Sequence, residues 1–451
     1  MEIKKNDIIT LNINGMTSEG SGVGRYEGLA VLVPQSAPGD ILKVRIIKVS
    51  KKYAVGKIEE IIEPSEERRE IDCPVFKVCG GCEFRHITYE AELEHKEQRV
   101  KDAIKRIGGL SEEIVSSIIP SESVLRYRNK AQVPVSKNKD GKVIMGFYAN
   151  HSHRIVDTDD CLLQPEVFTK IQSAFKTWCG TSGNTIYDES LHKGCIRHLY
   201  IRYGEFTNEI MVCVVATSKP KNIQALIDEL CKIDGVVSIL LNINKENTNV
   251  VLGNEYITLF GKSDISDKLF DLELSIKPQS FYQVNHKQTE VLYAKAKEYA
   301  QMDKNKVLLD LYCGTGTIGL TMVRDAKELY GADIVESAII DADINAKTLG
   351  IDNAHFICAD AGKAAEYFFK KGINPDVITI DPPRKGCTPE VIKTLKSMNP
   401  EKIVYISCDP ATLARDLKLF DEEGYKTTIV TPVDMFPRTA NVECVANIIR
   451  K

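Results

Sequence analysis

Short apolar runs and amphipathic stretches alternate with regular spacing through the last third of the chain. The apolar runs have the length of buried strands, whereas the longer stretches repeat apolar residues at helical spacing. The predicted strands lie at 306–311, 329–333, 354–358, 376–381, 402–407, 425–431 and 443–449. The predicted helices lie at 316–326, 336–349, 361–371, 388–397 and 410–422. This alternation predicts an α/β fold with a doubly wound, mostly parallel sheet, and the last two strands should pair antiparallel at one edge.

The first 60 residues follow a different pattern, in which short β-rich runs are separated by glycine-rich turns. The turn richest in glycine is expected at 19–24. The β-rich runs lie at 7–13, 29–33, 41–49 and 53–61. Runs of this length between such turns predict a small β-barrel over residues 1–60.

Residues 61–276 show a mixed pattern that predicts a central α/β domain, followed by the third domain at 277–451. A charged linker leads into an amphipathic helix at 89–107, which two glycines end. The other predicted elements are a hairpin that turns at 139–141, strands at 196–203, 210–216 and 236–244, and a helix at 222–232.

The distribution of charge along the chain is more informative about nucleic-acid binding than the net charge. A net charge of −4 gives no overall nucleic-acid signal, but residues 41–57 contain six basic residues and no acid. Residues 124–154 contain seven basic residues and one acid, and Arg126, Tyr127 and Arg128 interleave charge with an aromatic ring. Such runs attract phosphate and suit single-stranded RNA, although each alone is also typical of a solvated face. No apolar stretch reaches the ~18–20 residues that span a bilayer, and no signal-peptide core begins the chain, so a cytoplasmic protein is expected.

Four of the thirteen cysteines have spacing that indicates metal ligation. Disulfides are not expected in a cytosolic chain. Three cysteines stand in the order Cys73-x5-Cys79-x2-Cys82, with two glycines in the tight loop, and Cys161 is the plausible fourth donor. This spacing leaves three alternatives open, namely an iron–sulfur cluster, a zinc ion and unliganded thiols.

A glycine turn follows the first strand of the regular alternation, and acids follow the strands. Gly314, Gly316 and Gly319 fit the dinucleotide fingerprint, but S-adenosylmethionine sites use the same turn. Four acids fall at the carboxyl ends of successive strands, where ligands of such sheets bind. These acids are Asp310, Asp333, Asp360 and Asp381. Asp310 is expected to meet a cationic aminoacyl group and Asp360 an adenine amino group, which favours the methyl donor.

Two further residues carry the expected chemistry. Cys408 ends a buried strand just before a predicted helix, whose N-terminus should lower the pKa of the thiol and favour a thiolate nucleophile. Glu443 begins the last strand near the same cleft, where a half-buried carboxylate can act as a general base. Taken singly, Cys408 could be a packing residue and Glu443 an ordinary strand-end glutamate.

Five motifs together resemble the signature of the RNA (uracil-5-)-methyltransferase family. The motifs are Ser280-Phe-Tyr-Gln-Val-Asn, Asp310-Leu-Tyr-Cys-Gly-Thr-Gly, Asp381-Pro-Pro-Arg-Lys-Gly, Ser407-Cys-Asp-Pro and Arg438-Thr-Ala-Asn-Val-Glu. The predicted barrel is similar to the TRAM module, an RNA-binding barrel, and the cysteine spacing resembles the 4Fe–4S site of one subgroup of this family. Barrel and cysteines together indicate the branch that acts on 23S ribosomal RNA.

The resemblance implies a Rossmann-like methyltransferase domain, S-adenosylmethionine and a 4Fe–4S cluster as cofactors, and RNA as the partner of a monomeric enzyme. It implies that Cys408 adds to carbon 6 of uracil and that Glu443 removes the proton from carbon 5. The implied donor contacts are Gln283, Tyr312, Gly314, Gly316, Thr317, Asp333, Asp360 and Asp381. The implied cluster ligands are Cys73, Cys79, Cys82 and Cys161.

Other functions fit the sequence less well. A transfer-RNA uracil-5-methyltransferase is the alternative within the family. An amino-methyltransferase acting on adenine or guanine would carry an aromatic residue where Arg384 stands. A nicotinamide–iron–sulfur oxidoreductase and a non-catalytic RNA-binding factor would both leave Cys408 and Glu443 unexplained.

Overall fold

The computed structural model describes residues 3–451, which begin with a closed five-stranded barrel. Its strands are β1 (Ile8–Met16), β2 (Ser21–Tyr26), β3 (Leu29–Pro34), β4 (Ile41–Val49) and β5 (Tyr53–Glu63), in the order β1-β2-β3-β5-β4. Side chains alternate between solvent and the interior, so that Leu11 and Val44 are buried. The predicted barrel is confirmed.

The glycine-rich segment at 19–24 differs from its prediction as a turn, because most of it lies in β2. A Cβ atom on Gly22 would lie 2.1 Å from the Ser36 hydroxyl, and one on Gly24 would lie 2.4 Å from the carbonyl oxygen of Asn12. These glycines therefore allow close approach across a narrow barrel and do not mark a chain reversal.

Helix α1 (Tyr89–Arg106) follows the linker and is capped by Thr88, whose side chain accepts a hydrogen bond from the Ala91 N–H. Its buried face packs against the C-terminal half of the chain, where Val100 and Ile104 share one hydrophobic core with the last sheet. A 3-10 turn at Glu112–Ile114 comes next. The predicted domain boundaries at residues 60 and 276 stay predictions, although α1 packs with the third domain.

The central part of the chain forms a seven-stranded mixed sheet with helices on one face. Its order is β12-β11-β10-β9-β6-β7-β8, in which only β10 and β11 of the paired neighbours run parallel. The strands are β6 (Lys130–Lys137), β7 (Val143–Tyr148), β8 (Ile155–Asp157), β9 (Ile196–Tyr203), β10 (Ile210–Ala216), β11 (Val236–Ile243) and β12 (Glu255–Gly261). Helices α2 (Glu166–Thr181) and α3 (Ile223–Leu230) pack on one face. The other face shares a core with the hairpin β13 (Ile265–Leu269) and β14 (Leu272–Ile276) and with the third domain.

The C-terminal part is the predicted doubly wound sheet. Its order is β17-β16-β15-β18-β19-β21-β20, and the first five strands are parallel. The strands are β15 (Val307–Leu311), β16 (Glu328–Asp333), β17 (Ala354–Cys358), β18 (Val377–Ile380), β19 (Lys402–Ser407), β20 (Tyr425–Val433) and β21 (Glu443–Arg450). The helices are α4 (His286–Ala300), α5 (Thr317–Met322), α6 (Glu336–Thr348), α7 (Ala361–Lys370), α8 (Pro389–Ser397) and α9 (Pro410–Glu422), with a 3-10 turn at Val323–Asp325.

The last strand, β21, lies between β19 and β20 and runs antiparallel to both. This insertion brings the start of β21 to the carboxyl edge of the parallel strands, where ligands of such sheets bind. None of the described helices is both long and apolar enough to cross a bilayer.

Candidate active site

A buried carboxylate holds the turn after β15 from its inner side. The Oδ2 atom of Asp310 accepts a hydrogen bond from the Gly319 N–H at 3.0 Å, and the Oδ1 atom accepts one from the Thr379 hydroxyl at 2.6 Å. Asp310 is 0% exposed, and burial raises the pKa of its carboxyl to about 7. The fully buried carboxylate of Asp310 offers no exposed surface to the cationic aminoacyl group that was expected to meet it, and that contact stays a prediction.

The turn itself is packed tightly on one side and open on the other. Gly314 and Gly316 have φ values of +54° and +79°, which favour glycine. A Cβ atom on Gly316 would lie 3.1 Å from the Phe356 ring, whereas none of the described atoms lies within 4 Å of a Cβ on Gly314. The open side is where a nucleotide-like cofactor can approach the backbone.

Tyr312 and Thr317 flank this turn. Tyr312 has a φ of +62° and is half-buried, an unusual backbone conformation for an aromatic residue. Thr317 begins α5, and its hydroxyl lies 3.4 Å from the Tyr293 hydroxyl. The structure thus places both predicted donor contacts beside the turn, and their binding role stays a prediction.

Asp333 and Asp360 both bond to backbone N–H groups at the same edge. The Oδ2 atom of Asp333 accepts from the Gly314 N–H at 3.0 Å and its Oδ1 atom from the Val335 N–H at 2.8 Å. Asp360 is exposed and caps α7 by accepting from the Gly362 N–H at 3.1 Å. Each carboxylate keeps lone pairs free, so capping does not exclude a bound hydroxyl or amino group.

Gln283 lies on a segment that the central domain holds beside the C-terminal sheet. The carbonyl oxygen of Gln283 accepts a hydrogen bond from the Asn129 side-chain amide at 2.9 Å, and that of Val284 accepts from the Asn129 N–H at 2.9 Å. Asn285 then caps α4. The side chain of Gln283 is half-buried.

Strand register brings Cys408 and Glu443 together. Ser407 pairs with Cys444 across β19 and β21, so the preceding residue of β21, Glu443, lies opposite Cys408. Asp381 directly follows β18, the neighbour of β19, and its charge acts on both residues. Cys408 is partly accessible, whereas Glu443 is only 5% exposed and thus more buried than expected.

The pKa of the Cys408 thiol moves in the direction opposite to the prediction. Burial, followed by the charges of Glu443 and Asp381, raises it to about 11. The N-terminus of α9 does not outweigh these effects, because Asp409 caps it with a carboxylate that accepts from the Thr412 N–H at 2.8 Å. The prediction of a lowered pKa is therefore wrong for the protein without ligands.

The two carboxylates of this cleft also hold protons more tightly than usual. Burial and the charge of Asp381 raise the pKa of Glu443 to about 8. Burial and Asp310 raise the pKa of Asp381 to about 7. The positive charge at the cleft does not offset burial and the neighbouring carboxylates, and a bound cation would lower all of these pKa values.

Arg384 is a functional candidate that the sequence reasoning missed. Its positive charge lowers the pKa of both Cys408 and Glu443, although burial dominates for each. Its side chain is exposed and reaches the Asn441 side-chain oxygen at 3.4 Å. Its position directly after Asp381-Pro-Pro was the signal that could have pointed to it.

The four predicted metal-ligating cysteines line one cavity of about 70 Å³. Burial raises the pKa values of Cys79 and Cys161, and raises that of Cys82 to about 12. No group of three or more His, Cys, Asp or Glu side chains between residues 3 and 451 is arranged to hold a metal ion. The predicted cysteines are thus brought together, but not into an arranged metal site.

Ion pairs occupy several of the basic residues in the two runs, 41–57 and 124–154, that were predicted to attract phosphate. Arg126 forms two hydrogen bonds to the Asp160 carboxylate, at 2.6 and 2.8 Å, and Arg128 lines the cysteine cavity. These two arginines therefore do not form the open RNA groove that was expected. On the barrel, Lys43 and Arg45 pair with glutamates of β5 at 2.6 Å. The exposed lysines of this run concentrate near the β4–β5 hairpin, at Lys48, Lys51, Lys52 and Lys57.

The doubly wound sheet, with its open glycine turn at the carboxyl edge, is the fold of enzymes that bind a nucleotide-like cofactor, among them the S-adenosylmethionine-dependent methyltransferases. Comparison with known proteins narrows this class. Residues 88–451 match the family described as tRNA (uracil-5-)-methyltransferase, and residues 4–58 match the TRAM domain. The chain belongs to the uracil-5-methyltransferase family and is an S-adenosylmethionine-dependent RNA uracil-5-methyltransferase.

Similar proteins cover almost the whole chain. An uncharacterized RNA methyltransferase of Clostridium tetani is 45% identical, over 98% of this chain and 96% of its own length. One from Halalkalibacterium halodurans is 42% identical, over 98% and 97%. The structure is similar to that of Pyrococcus abyssi tRNA (uracil-54, C5)-methyltransferase in complex with S-adenosyl-L-homocysteine, with a TM-score of 0.79 and 29% identity over 98% of this chain and 99% of that one.

Proposed function

We propose that the protein methylates carbon 5 of a uridine in 23S ribosomal RNA through a covalent bond between Cys408 and the base. The observation that carries the chemistry is the register of β19 and β21, which sets a thiol opposite a buried carboxylate at the ligand-binding edge. Carbon 5 of uracil is a weak nucleophile, and addition of a thiolate to carbon 6 activates it.

The first half of the reaction belongs to Cys408. Its thiolate forms a bond to carbon 6, and the electron pair of the carbon 5–carbon 6 double bond moves toward oxygen 4 as an enolate. Bound S-adenosylmethionine would supply the methyl group, and carbon 5 would form a bond to it as the bond from methyl to the sulfonium sulfur breaks and S-adenosylhomocysteine leaves. The pKa of Cys408 is raised despite the charge of Arg384, so thiolate formation depends on further positive charge entering the cleft, which the cationic donor would provide.

The second half belongs to Glu443. Its carboxylate accepts the proton from carbon 5, the electron pair of that C–H bond restores the double bond, and the bond from carbon 6 to the Cys408 sulfur breaks. The thiolate is thereby regenerated, and the methylated base is released. A buried carboxylate with a raised pKa is a stronger base than an exposed one once it has lost its own proton.

Most of the proposed contacts to S-adenosylmethionine lie at the glycine turn after β15. Gly314 and Gly316 bring the backbone close to the cofactor, and Tyr312 and Thr317 flank it. Asp333 suits the ribose hydroxyls, because it follows the strand next to the turn. The remaining proposed contacts are Gln283, Asp360 and Asp381.

Covalent trapping tests the chemistry. Glu443→Gln incubated with S-adenosylmethionine and substrate RNA is expected to accumulate a protein–RNA adduct that survives a denaturing gel, because release is blocked. Glu443→Gln combined with Cys408→Ala is the matched control and should give none. Absence of the adduct from both Glu443→Gln and the wild type would refute the nucleophilic mechanism.

For the cysteine cavity, we propose a 4Fe–4S cluster on Cys73, Cys79, Cys82 and Cys161. Four cysteines around one cavity match the four thiolates that such a cluster takes. Arg85 and Arg128 line the same cavity, and the Nη2 atom of Arg85 and the Nε atom of Arg128 are buried without a hydrogen-bond partner among the described residues. Unpaired guanidinium atoms suit an anionic group between them.

Anaerobic purification tests the cluster. The protein should be brown, with broad visible absorption and about four iron atoms per chain. Cys79→Ser should lose the colour, whereas the control Cys231→Ser, at an exposed cysteine outside the cavity, should keep it. A colourless wild-type protein with one zinc per chain would overturn this assignment.

The RNA target has two candidates. The barrel together with the four cysteines supports ribosomal RNA. A transfer-RNA target is supported by the Pyrococcus abyssi tRNA enzyme, whose structure covers 98% of this chain, the barrel included. Mapping 5-methyluridine in ribosomal and transfer RNA from cells with and without the gene decides between them. Loss of the modification from 23S RNA alone is expected, and loss from transfer RNA alone would refute the ribosomal target.

A further inference from the structure

The segment that ends on Glu443 is a loop over residues 434–442, between β20 and β21. Its start is held by a buried ion pair with α1. The Lys96 ammonium donates to an Asp434 carboxylate oxygen at 2.7 Å and to the Phe436 carbonyl oxygen at 3.2 Å. The Tyr89 hydroxyl donates to the other Asp434 oxygen at 2.7 Å. The loop thus leaves the sheet along a path fixed by residues more than 330 positions earlier in the chain.

The middle of this loop is held by the residues that follow Cys82. The carbonyl oxygen of Arg438 accepts hydrogen bonds from the N–H groups of Glu83 at 2.9 Å and Phe84 at 3.1 Å. Two residues later in the loop, the Ala440 N–H donates a hydrogen bond to the Glu83 carboxylate at 3.1 Å. We name these three hydrogen bonds the Glu83 clamp.

The Glu83 clamp holds a residue whose backbone conformation is unfavourable. Arg438 has a φ of +70°, a left-handed backbone conformation that is unfavourable for an L-residue and persists only where surrounding contacts impose it. Glu92 accepts from the Arg438 N–H at 2.7 Å and completes the fixation of this residue. Arg99 also donates to the Ala440 carbonyl oxygen, and Val442 is fully buried. Loss of the Glu83 carboxylate would leave the Ala440 N–H without its acceptor three residues before β21 begins.

The end of the loop forms one wall of the active cleft. Asn441 contacts Arg384 at 3.4 Å, and Glu443 pairs with Val433 at the first position of the sheet. The backbone of Glu443 is therefore held by strand pairing on one side and by the clamped loop on the other. Placement of a catalytic group within about 1 Å matters strongly for rate.

We propose that the Glu83 carboxylate is a positioning group for Glu443, which it helps to set over carbon 5 of the uracil by accepting the hydrogen bond from the Ala440 N–H. This inference rests on the proposed roles of Cys408 and Glu443. It assigns Glu83 to the second half of the reaction only, because the Cys408 side of the cleft is built by β19 and α9. Loss of the carboxylate bond of the clamp, with the two backbone bonds retained, should slow removal of the carbon 5 proton and leave formation of the covalent bond unchanged.

Single-turnover reactions of the full-length protein test this assignment. Wild type, Glu83→Ala and Glu443→Gln are mixed with S-adenosylmethionine and RNA that carries tritium at carbon 5 of uridine. Covalent adduct, methylated RNA and tritium release are measured in each reaction. For Glu83→Ala we expect the ratio of adduct to released product to rise about tenfold over the wild type, equivalent to about 1.4 kcal/mol on the release step.

Two further variants separate positioning from stability. Glu83→Gln retains an oxygen that can accept from the Ala440 N–H, and it should return the ratio to near the wild-type value. Glu90→Ala, at an exposed glutamate of α1, is the control and should not change the ratio. If Glu83→Ala does not fold, Glu83→Asp, which shortens the side chain, replaces it with the same expected direction.

The outcomes distinguish this inference from the chemistry on which it rests. An adduct in Glu443→Gln together with an unchanged adduct-to-product ratio in Glu83→Ala, or in Glu83→Asp where that variant is used, would overturn the positioning role alone. Equal slowing of adduct formation and release would likewise refute it, because a merely structural residue affects both. Absence of an adduct in Glu443→Gln as well as in the wild type would reject the proposed mechanism itself.

Discussion

Replacing Glu443 by glutamine should make the folded protein less sensitive to alkaline pH. Burial, together with the charge of Asp381, raises the pKa of Glu443 from its ordinary value of 4.5 to about 8. In the unfolded chain this carboxyl faces water and ionises near its ordinary value. Between these two values the folded protein keeps a proton that the unfolded chain has lost, so the wild type loses stability as pH rises through this window.

The size of this effect follows from the shift in pKa. One pH unit between the two values is equivalent to about 1.4 kcal/mol of unfolding free energy. From pH 5 to pH 8 the wild type should therefore lose about 4 kcal/mol relative to Glu443→Gln, an order-of-magnitude figure for a side chain that is only 5% exposed. The difference should level off about one pH unit above the folded pKa, because the carboxyl is then ionised in both states.

Urea unfolding without ligands, followed by far-ultraviolet circular dichroism, measures this difference at pH 5 and pH 8. Wild type and Glu443→Gln are compared at both values, so that titration of all other groups cancels. The control is Glu422→Gln, at an exposed glutamate of α9, which should follow the wild type. Parallel pH dependence of the wild type and Glu443→Gln would show that Glu443 ionises normally and that the argument from burial is wrong.

Three further predictions concern the donor turn, the buried ion pair and the barrel. Asp310→Ala should weaken binding of S-adenosylhomocysteine about tenfold, because two buried donors lose their acceptor; unchanged affinity by calorimetry would contradict this. Lys96→Met should lower the free energy of unfolding by about 3–5 kcal/mol, because the buried carboxylates of Glu92 and Asp434 both lose the Lys96 ammonium. A loss below about 1 kcal/mol, measured by unfolding in urea, would argue against this. Lys51→Ala combined with Lys52→Ala should reduce the slope of log Kd for RNA against log salt by about 1.4–1.8; an unchanged slope would place the RNA elsewhere.

The local pattern of apolar and polar residues was sufficient to predict the architecture of the C-terminal sheet. Alternating strand and helix periodicities predicted the parallel sheet, and the absence of a helix before the last strand predicted its antiparallel pairing. Because the carboxyl ends of parallel strands share one edge, the order of the strands along the chain was enough to assign Cys408 and the acids after the strands to one cleft. The glycines of β2 misled this reasoning, since a glycine needed for close strand approach has the same sequence appearance as one in a turn.

Orientation and electrostatics were decided only by the tertiary structure. Asp310 turns inward to the Gly319 N–H, and Arg126 pairs with Asp160, because each finds its partner through packing that periodicity does not encode. The pKa of Cys408 rises because burial and two carboxylates act together, and the helix terminus that suggested the opposite is already capped.

By itself, the sequence determined the class of fold, the family and the residues at the carboxyl edge of the parallel sheet, because these depend on periodicity and on short motifs. The tertiary structure alone decided how the loop before Glu443 is held. Glu83 and Ala440 are 357 positions apart, and Lys96 and Asp434 are 338 apart. Contacts over such separations arise from the way whole domains pack, and no local pattern specifies them.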